Sequence, residues 1–151
     1  MAKEGKGPVY ADSGFLISLY SPDANTAVAA ATMTALRGEV LVSPLVEFEV
    51  FNALRQRIFW RQISSSDAEK SRQKFEMNVR AGAFRMVALP ESLFEVAREL
   101  SERTTETLGT RAVDLLHVAA ALELGAEYLY SFDERQRKLA RSVRLKLNAM
   151  A

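Results

Sequence analysis

The sequence predicts an α/β domain, with a mostly parallel sheet of about five strands flanked by helices on both faces. Two observations carry that reading. Short apolar runs bounded by turn residues alternate with longer segments of helical periodicity. No linker, repeat or low-complexity stretch divides the 151 residues, so a single domain accounts for residues 1–151.

Taken in chain order, residues 1–8 (MAKEGKGP) are polar, lack the apolar core of a signal peptide, and read as a flexible N-terminal extension. Val9 to Ala11 is a short strand that ends at Asp12, and the apolar stretch Phe15 to Tyr20 then forms a helix. Asp23 is placed to cap a second, alanine-rich helix that runs to about Arg37 and stops at Gly38. Val40 to Val42 is the second strand. Ser43-Pro44, a cap followed by proline in the first turn, opens a helix to about Phe59. A serine run before Asp67 starts the next helix, which ends near Gly82. Phe84 to Leu89 is a third strand closed by Pro90. Helices over about 91–105 and 110–124 follow, the latter ended by Gly125. Glu127 to Tyr130 is a fourth strand, Asp133 caps a short basic helix, and Val143 to Leu147 is a last strand.

Composition narrows the chemistry. Hydrophobic residues make up 48% and charged residues 26%, the balance of a globular chain rather than a disordered one. Absence of cysteine excludes disulfides, thiolate nucleophiles and thiolate zinc sites, and accords with a cytoplasmic location. A single histidine, His117, rules out a multi-histidine metal site and makes a serine-type triad a poor fit. No apolar run is long enough for a membrane span, so no membrane partner is expected. Net charge is only +1, but between Arg55 and Arg85 eight basic residues face three acidic ones. That stretch, with Arg55, Arg57 and Arg61 at its head, reads either as solvated helix faces or as a surface for RNA phosphates.

Four acidic residues are candidates for one site. Ligands of open α/β sheets bind beyond the carboxyl ends of the strands, where strand order reverses. Asp12 and Asp133 both stand just past strands, although each also suits a helix N-cap. At about 100° per residue, Glu49 shares a stripe with Leu45, Asn52 and Gln56 at the edge of an apolar face. A carboxylate there calls for a partner, either Asn52 one turn on or a cation. Glu47 points to the other side of that helix and ranks second. Asp114 and His117 are the only polar members of AVDLLHVAAAL, a helix apolar almost all round and therefore buried. His117 reads as a core or supporting residue. Acidic, oxygen-rich clusters suit hard cations, Mg2+ or Mn2+, whose chemistry is phosphodiester hydrolysis. Finally, Val50, Phe51, Leu54, Ile58, Phe59 and Trp60 spread round one helix axis, more than a single face buries, and point to packing of part of this region against another copy or a partner helix. The alternative is that the next helix, Ser64 to Gly82, covers all of it as an ordinary hairpin.

YADSGFLISLY, PLVEFEVFNAL, AVDLLHVAAALELGAEYL and YSFDERQRKLA together resemble, in order and spacing, the acidic motifs of PIN-domain proteins, above all the VapC-type toxins. The resemblance runs from Val9 to about Leu147. It implies a three-layer fold with strand order 3-2-1-4-5, endoribonuclease activity with Mg2+ or Mn2+, frequent homodimers and, in many members, a cognate antitoxin. By motif, Asp12, Glu49, Asp114 and Asp133 match the catalytic, metal-holding acids, while Ser13 and Ser131 match supporting hydroxyls. Gly14 departs from the pattern, standing where Asn, Ser or Val is commoner. The alternatives are a PIN nuclease of RNA processing outside a toxin–antitoxin pair, and a catalytically silent RNA- or protein-binding module.

Overall fold

The computed structural model describes residues 7–150. Most of the N-terminal extension expected over residues 1–8, residues 1–6, therefore lies outside the described residues. Chain order is β1 (Val9–Ala11), α1 (Ser13–Tyr20), α2 (Thr26–Ala35), β2 (Val40–Val42), α3 (Pro44–Phe59), α4 (Ser65–Arg80), β3 (Arg85–Met86), α5 (Leu93–Leu108), α6 (Ala112–Glu123), β4 (Tyr128–Tyr130), α7 (Glu134–Ser142) and β5 (Lys146–Leu147). The five strands form one sheet in the order β3-β2-β1-β4-β5, with every neighbouring pair parallel.

Connectivity sets the layers. Steps from β1 to β2 to β3 move one way along the sheet, and right-handed crossovers place α1 to α4 on one face. The return from β3 to β4 and the step to β5 run the other way, which puts α5, α6 and α7 on the opposite face. Helix contacts follow that division: α1 packs on α2, α3 and α4, and α6 packs on α5 and α7. With both faces covered, the central strands are buried throughout, as Val9, Tyr10, Ala11, Leu41, Val42 and Leu129 show. Phe15, Val46, Val50 and Phe75 close the core on one side, and Val118, Ala119 and Leu139 on the other.

Local chemistry explains most element ends. Ser43 accepts from the Val46 amide with Pro44 in the first turn. Ser64 and Asp67 form a reciprocal capping box on α4. Gly109 ends α5 in the left-handed region at φ 64°, which explains why that helix runs past residue 105. Three expectations differ from the structure, the last strand among them: it covers only Lys146–Leu147 because Val143 and Arg144 are used to close α7. The α2 helix starts at Thr26 rather than directly after Asp23, because Asp23 turns its oxygens to the Asn25 amide, the Ser18 hydroxyl and Arg57. The third strand shrinks to Arg85–Met86, since an edge strand with only β2 to pair has few amides to satisfy. At the start of β1, the Pro8 carbonyl accepts from the Glu127 and Tyr128 amides.

Candidate active site

β1 and β4 are adjacent and parallel, with Ala11 opposite Tyr130, yet their outgoing connections lead to opposite faces. Their carboxyl ends therefore open a crevice at the point where strand order reverses. A cleft of about 390 Å³ lies there, lined by Asp12, Ser13, Gly14, Glu49, Arg111, Asp114, His117, Asp133 and Gln136 among others. A larger cleft of about 640 Å³ beside α4 has one carboxylate, Asp67, which is already committed to capping. Of the two, the smaller cleft gathers the candidate carboxylates.

Asp12 follows β1 directly and caps α1, its Oδ1 accepting from the Phe15 amide at 2.7 Å. Its Oδ2 accepts from Gln136 Nε2 at 2.9 Å. Only 4% exposed, its carboxyl is pushed up to about 6 by burial, against the pull of the Ser131 hydroxyl and the Phe15 amide. Glu49 reaches the cleft from α3 and is hydrogen-bonded to His117 Nε2. The other nitrogen, Nδ1, lies 3.2 Å from the Tyr10 hydroxyl, which in turn lies 2.9 Å from Ser43 Oγ. A buried chain Ser43–Tyr10–His117–Glu49 thus crosses the core and fixes the glutamate.

Asp114, in the first turn of α6, is 5% exposed. Its Oδ2 accepts from Arg111 Nε at 3.0 Å. Asp133 caps α7, accepting the Arg135 and Gln136 amides on Oδ1 at 2.9 and 3.4 Å, while its own amide donates to Ser131 Oγ at 3.1 Å. Arg111 Nη2 donates to Asp133 Oδ2 at 3.2 Å, so one guanidinium joins two of the four acids.

Four acids expected from the sequence therefore line one cleft with Ser13. Ser131 stands behind Asp133 as its support. Other candidates lie elsewhere. Asn52 is exposed and makes no bond to Glu49, whose partner is His117, because the α3 axis turns Asn52 toward solvent. Glu47 does not line the cleft. Arg57 is tied to Asp23 and to the Ser21 carbonyl, while Arg55 and Arg61 are exposed. Three residues of the site escaped the sequence reading. Arg111 sits three before Asp114, a spacing that pairs charges on a helix. Gln136 sits three after a capping aspartate, where a glutamine ordinarily reaches back to the cap; here it crosses to Asp12 instead. Tyr10 gave no signal beyond an apolar strand.

The donor set is four carboxylates without a thiol, the set that hard divalent cations prefer. Two features fit such an ion: a carboxyl buried at Asp12, and a positive guanidinium already drawn to Asp114 and Asp133. Among the described residues no group of three or more acidic or imidazole side chains is arranged to hold an ion as it stands. Each carboxylate is instead engaged by a protein donor.

Comparisons with known proteins agree on the architecture. The family model described as PIN domain matches residues 9–142. Among solved structures, a Mycobacterium tuberculosis VapC20, described as a sarcin-ricin loop cleaving toxin, superposes with TM-score 0.67 at 21% identity, covering 86% of this chain and 93% of that one. VapBC2 from Rickettsia felis, bound to a DNA fragment from its promoter, gives TM-score 0.64 at 14% identity over 93% of this chain and 96% of the other. FitAcB from Neisseria gonorrhoeae gives 0.64 at 13% over the same shares. Comparison with curated protein sequences gave no match.

Proposed function

This chain is a member of the PIN domain family, and from that premise we propose that it is a divalent-metal-dependent endoribonuclease acting as the toxin of a toxin–antitoxin pair. The observation that carries the reading is the convergence of Asp12, Glu49, Asp114 and Asp133, from four separate segments, on one cleft at the switch point of the sheet. Gathering four carboxylates without a cation is unfavourable by mutual repulsion, so a fold that does so has a use for positive charge there.

Asp12, Glu49 and Asp114 would hold the principal Mg2+ or Mn2+, and Asp133 would hold a second ion or orient the attacking water. Such ions supply activation of water and positive charge for the phosphoryl oxygens. The chain's own contribution is positioning. Gln136 and the Phe15 amide fix both oxygens of Asp12, and the Tyr10–His117 pair fixes Glu49. Ser131 and the α7 amides hold Asp133 at the rim. RNA would reach the cleft over its exposed side, with Arg55 and Arg61 as phosphate contacts; Arg57 is already engaged. Replacing Arg55 and Arg61 by glutamine lowers the salt slope of RNA binding by about 0.7 per lost contact.

For a partner, support comes from α3. Val50 and Leu54 are buried, and Phe51 and Ile58 half-buried, but Phe48, Phe59 and Trp60 remain 70%, 81% and 57% exposed. Such a patch fits an antitoxin segment or a second copy in a homodimer. Proteins of similar fold were solved as VapBC and FitAcB. No helix among the described residues is long and apolar enough to cross a membrane.

The test is cleavage of total RNA by the purified chain with Mg2+, Mn2+ or chelator. Discrete products that require metal and vanish in Asp12→Asn support the reading. Intact RNA with every metal, or products that persist in chelator, overturns it.

A further inference from the structure

Any ion entering this cleft meets a cation that the chain itself supplies. Arg111 stands at the N-cap of α6, its side chain 58% exposed. The guanidinium is forked: Nε donates to Asp114 Oδ2 at 3.0 Å, and Nη2 donates to Asp114 Oδ1 at 3.5 Å and to Asp133 Oδ2 at 3.2 Å. Among the described residues it is the only lysine or arginine lining the cleft.

The other donors on the acids cannot leave. Gln136 and His117 are each 2% exposed and packed in place, and the Phe15 amide belongs to the helix. Arg111 alone combines a long stem, solvent on one side and a bond to two carboxylates at once. Those two carboxylates also come from different helices, α6 and α7, so the arginine spans the mouth of the cleft.

Charge makes the second half of the case. Four ionised carboxylates against one guanidinium leave the cleft strongly negative, a setting that repels a phosphodiester. A divalent ion on the carboxylates reduces that charge and releases the guanidinium from its partners. A freed guanidinium fork matches phosphate oxygens as well as it matches a carboxylate.

Resting on the metal-dependent cleavage proposed above, we propose that Arg111 is a two-position residue. It clamps Asp114 and Asp133 in the metal-free protein, and it binds an RNA phosphate once a divalent ion takes those carboxylates. Metal therefore competes with an internal cation, and its arrival creates the phosphate contact. Empty protein holds its acids in order without attracting substrate, and loaded protein gains both charges that the substrate needs. Metal and RNA affinities become linked through one side chain.

The experiment is calorimetric titration of Mn2+ without RNA, on the full chain and on R111Q, R111K and R135Q, followed by single-turnover RNA cleavage at saturating Mn2+. Arg135 is an exposed arginine two residues after Asp133 that does not line the cleft, and its variant reports the effect of nearby charge alone. R111Q is expected to bind Mn2+ about fivefold tighter, the upper end of what releasing a partly exposed ion pair gives. R135Q should move the affinity by less than about twofold. At saturating Mn2+, R111Q should cleave on the order of 100-fold slower, as when a charged donor to the reacting group is lost. R111K should recover part of the rate, since it restores charge without the fork. Should R111Q not fold, R111K carries the same test, with a smaller gain in Mn2+ affinity. Mn2+ binding in R111Q that is unchanged or weaker, matched by R135Q, or uncoupled from any loss of rate overturns the two-position role while parental cleavage still stands. A parent that neither binds Mn2+ nor cleaves RNA overturns both proposals.

Discussion

The β1–α1 and β4–α7 turns are one local device in two surroundings. Each leads from a central parallel strand into an aspartate that caps the next helix through Oδ1. In each, Oδ2 is held by a side chain from another segment, Gln136 for Asp12 and Arg111 for Asp133. Yet Asp12 is 4% exposed, whereas the Asp133 side chain is 43% exposed. The difference comes from the helices. SGFLISLY is apolar and sinks Phe15, Leu16 and Ile17 into the core, drawing its cap below the surface. ERQRKLARS is amphipathic, buries one face only, and leaves its cap on the rim. One capping turn therefore sets a carboxylate in the core in one case and at the rim in the other, and depth decides how much a cation would relieve each.

The largest expected effect is on cleavage. On the proposed function, Asp12→Asn should lower the single-turnover rate by at least about 1000-fold, because a carboxylate buried this deeply would have no substitute from solvent. Asp133→Asn, on the rim, should cost about 10- to 100-fold. Equal losses would mean that depth does not separate the two roles.

Next comes the pH dependence of the metal-free fold. Asp12 binds its proton more tightly in the folded protein, at about 6, than at its ordinary value of 3.8. The associated stability is therefore complete below about pH 4 and is lost as pH rises through about 6. By about pH 8 the loss reaches about 3 kcal/mol. Urea melts at pH 4 and pH 8 read it directly. Asp12→Asn should remove this slope and be the more stable protein at pH 8, whereas Asp133→Asn should leave it in place.

Metal should reverse the penalty. Mn2+ at a hundredfold its Kd stabilises the fold by about 2.7 kcal/mol through mass action. Thermal melts should show most of that gain lost in Asp12→Asn and a larger share kept in Asp133→Asn. The smallest effect isolates the residue that joins the turns. Gln136 donates its amide to Asp133 and its side chain to Asp12, so Gln136→Leu removes only the second bond. A cost of roughly 1.5 kcal/mol is expected at pH 8, where Asp12 is charged, and less at pH 4, where it is protonated.

Strand and helix order was legible because periodicity and turn chemistry are local. Ser43-Pro44, the serine run before Asp67 and the YADSGF and YSFDER turns mark element ends without reference to the rest of the chain. Glu49 and Asp114 were legible for a related reason: a carboxylate on an apolar face requires a partner. Local patterns failed where the partner is distant. Asn52 shares the stripe of Glu49, but His117, 68 residues away, takes the bond. Arg57 reads as free basic surface until Asp23 is found beside it.

The sequence by itself determined the alternation of elements, the capping aspartates Asp12 and Asp133, Asp114 in the first turn of its helix, and Glu49 on the edge of an apolar face within α3. Tertiary structure alone decided which cap is buried and which exposed, that Gln136 crosses to Asp12, and that Arg111 closes on two acids from different helices. The physical reason is reach. Capping and amphipathicity act within one or two turns, so neighbouring letters encode them. Burial of a charge and the identity of its partner depend on which segments the parallel sheet brings side by side, and β1 and β4 are joined across more than a hundred residues of chain.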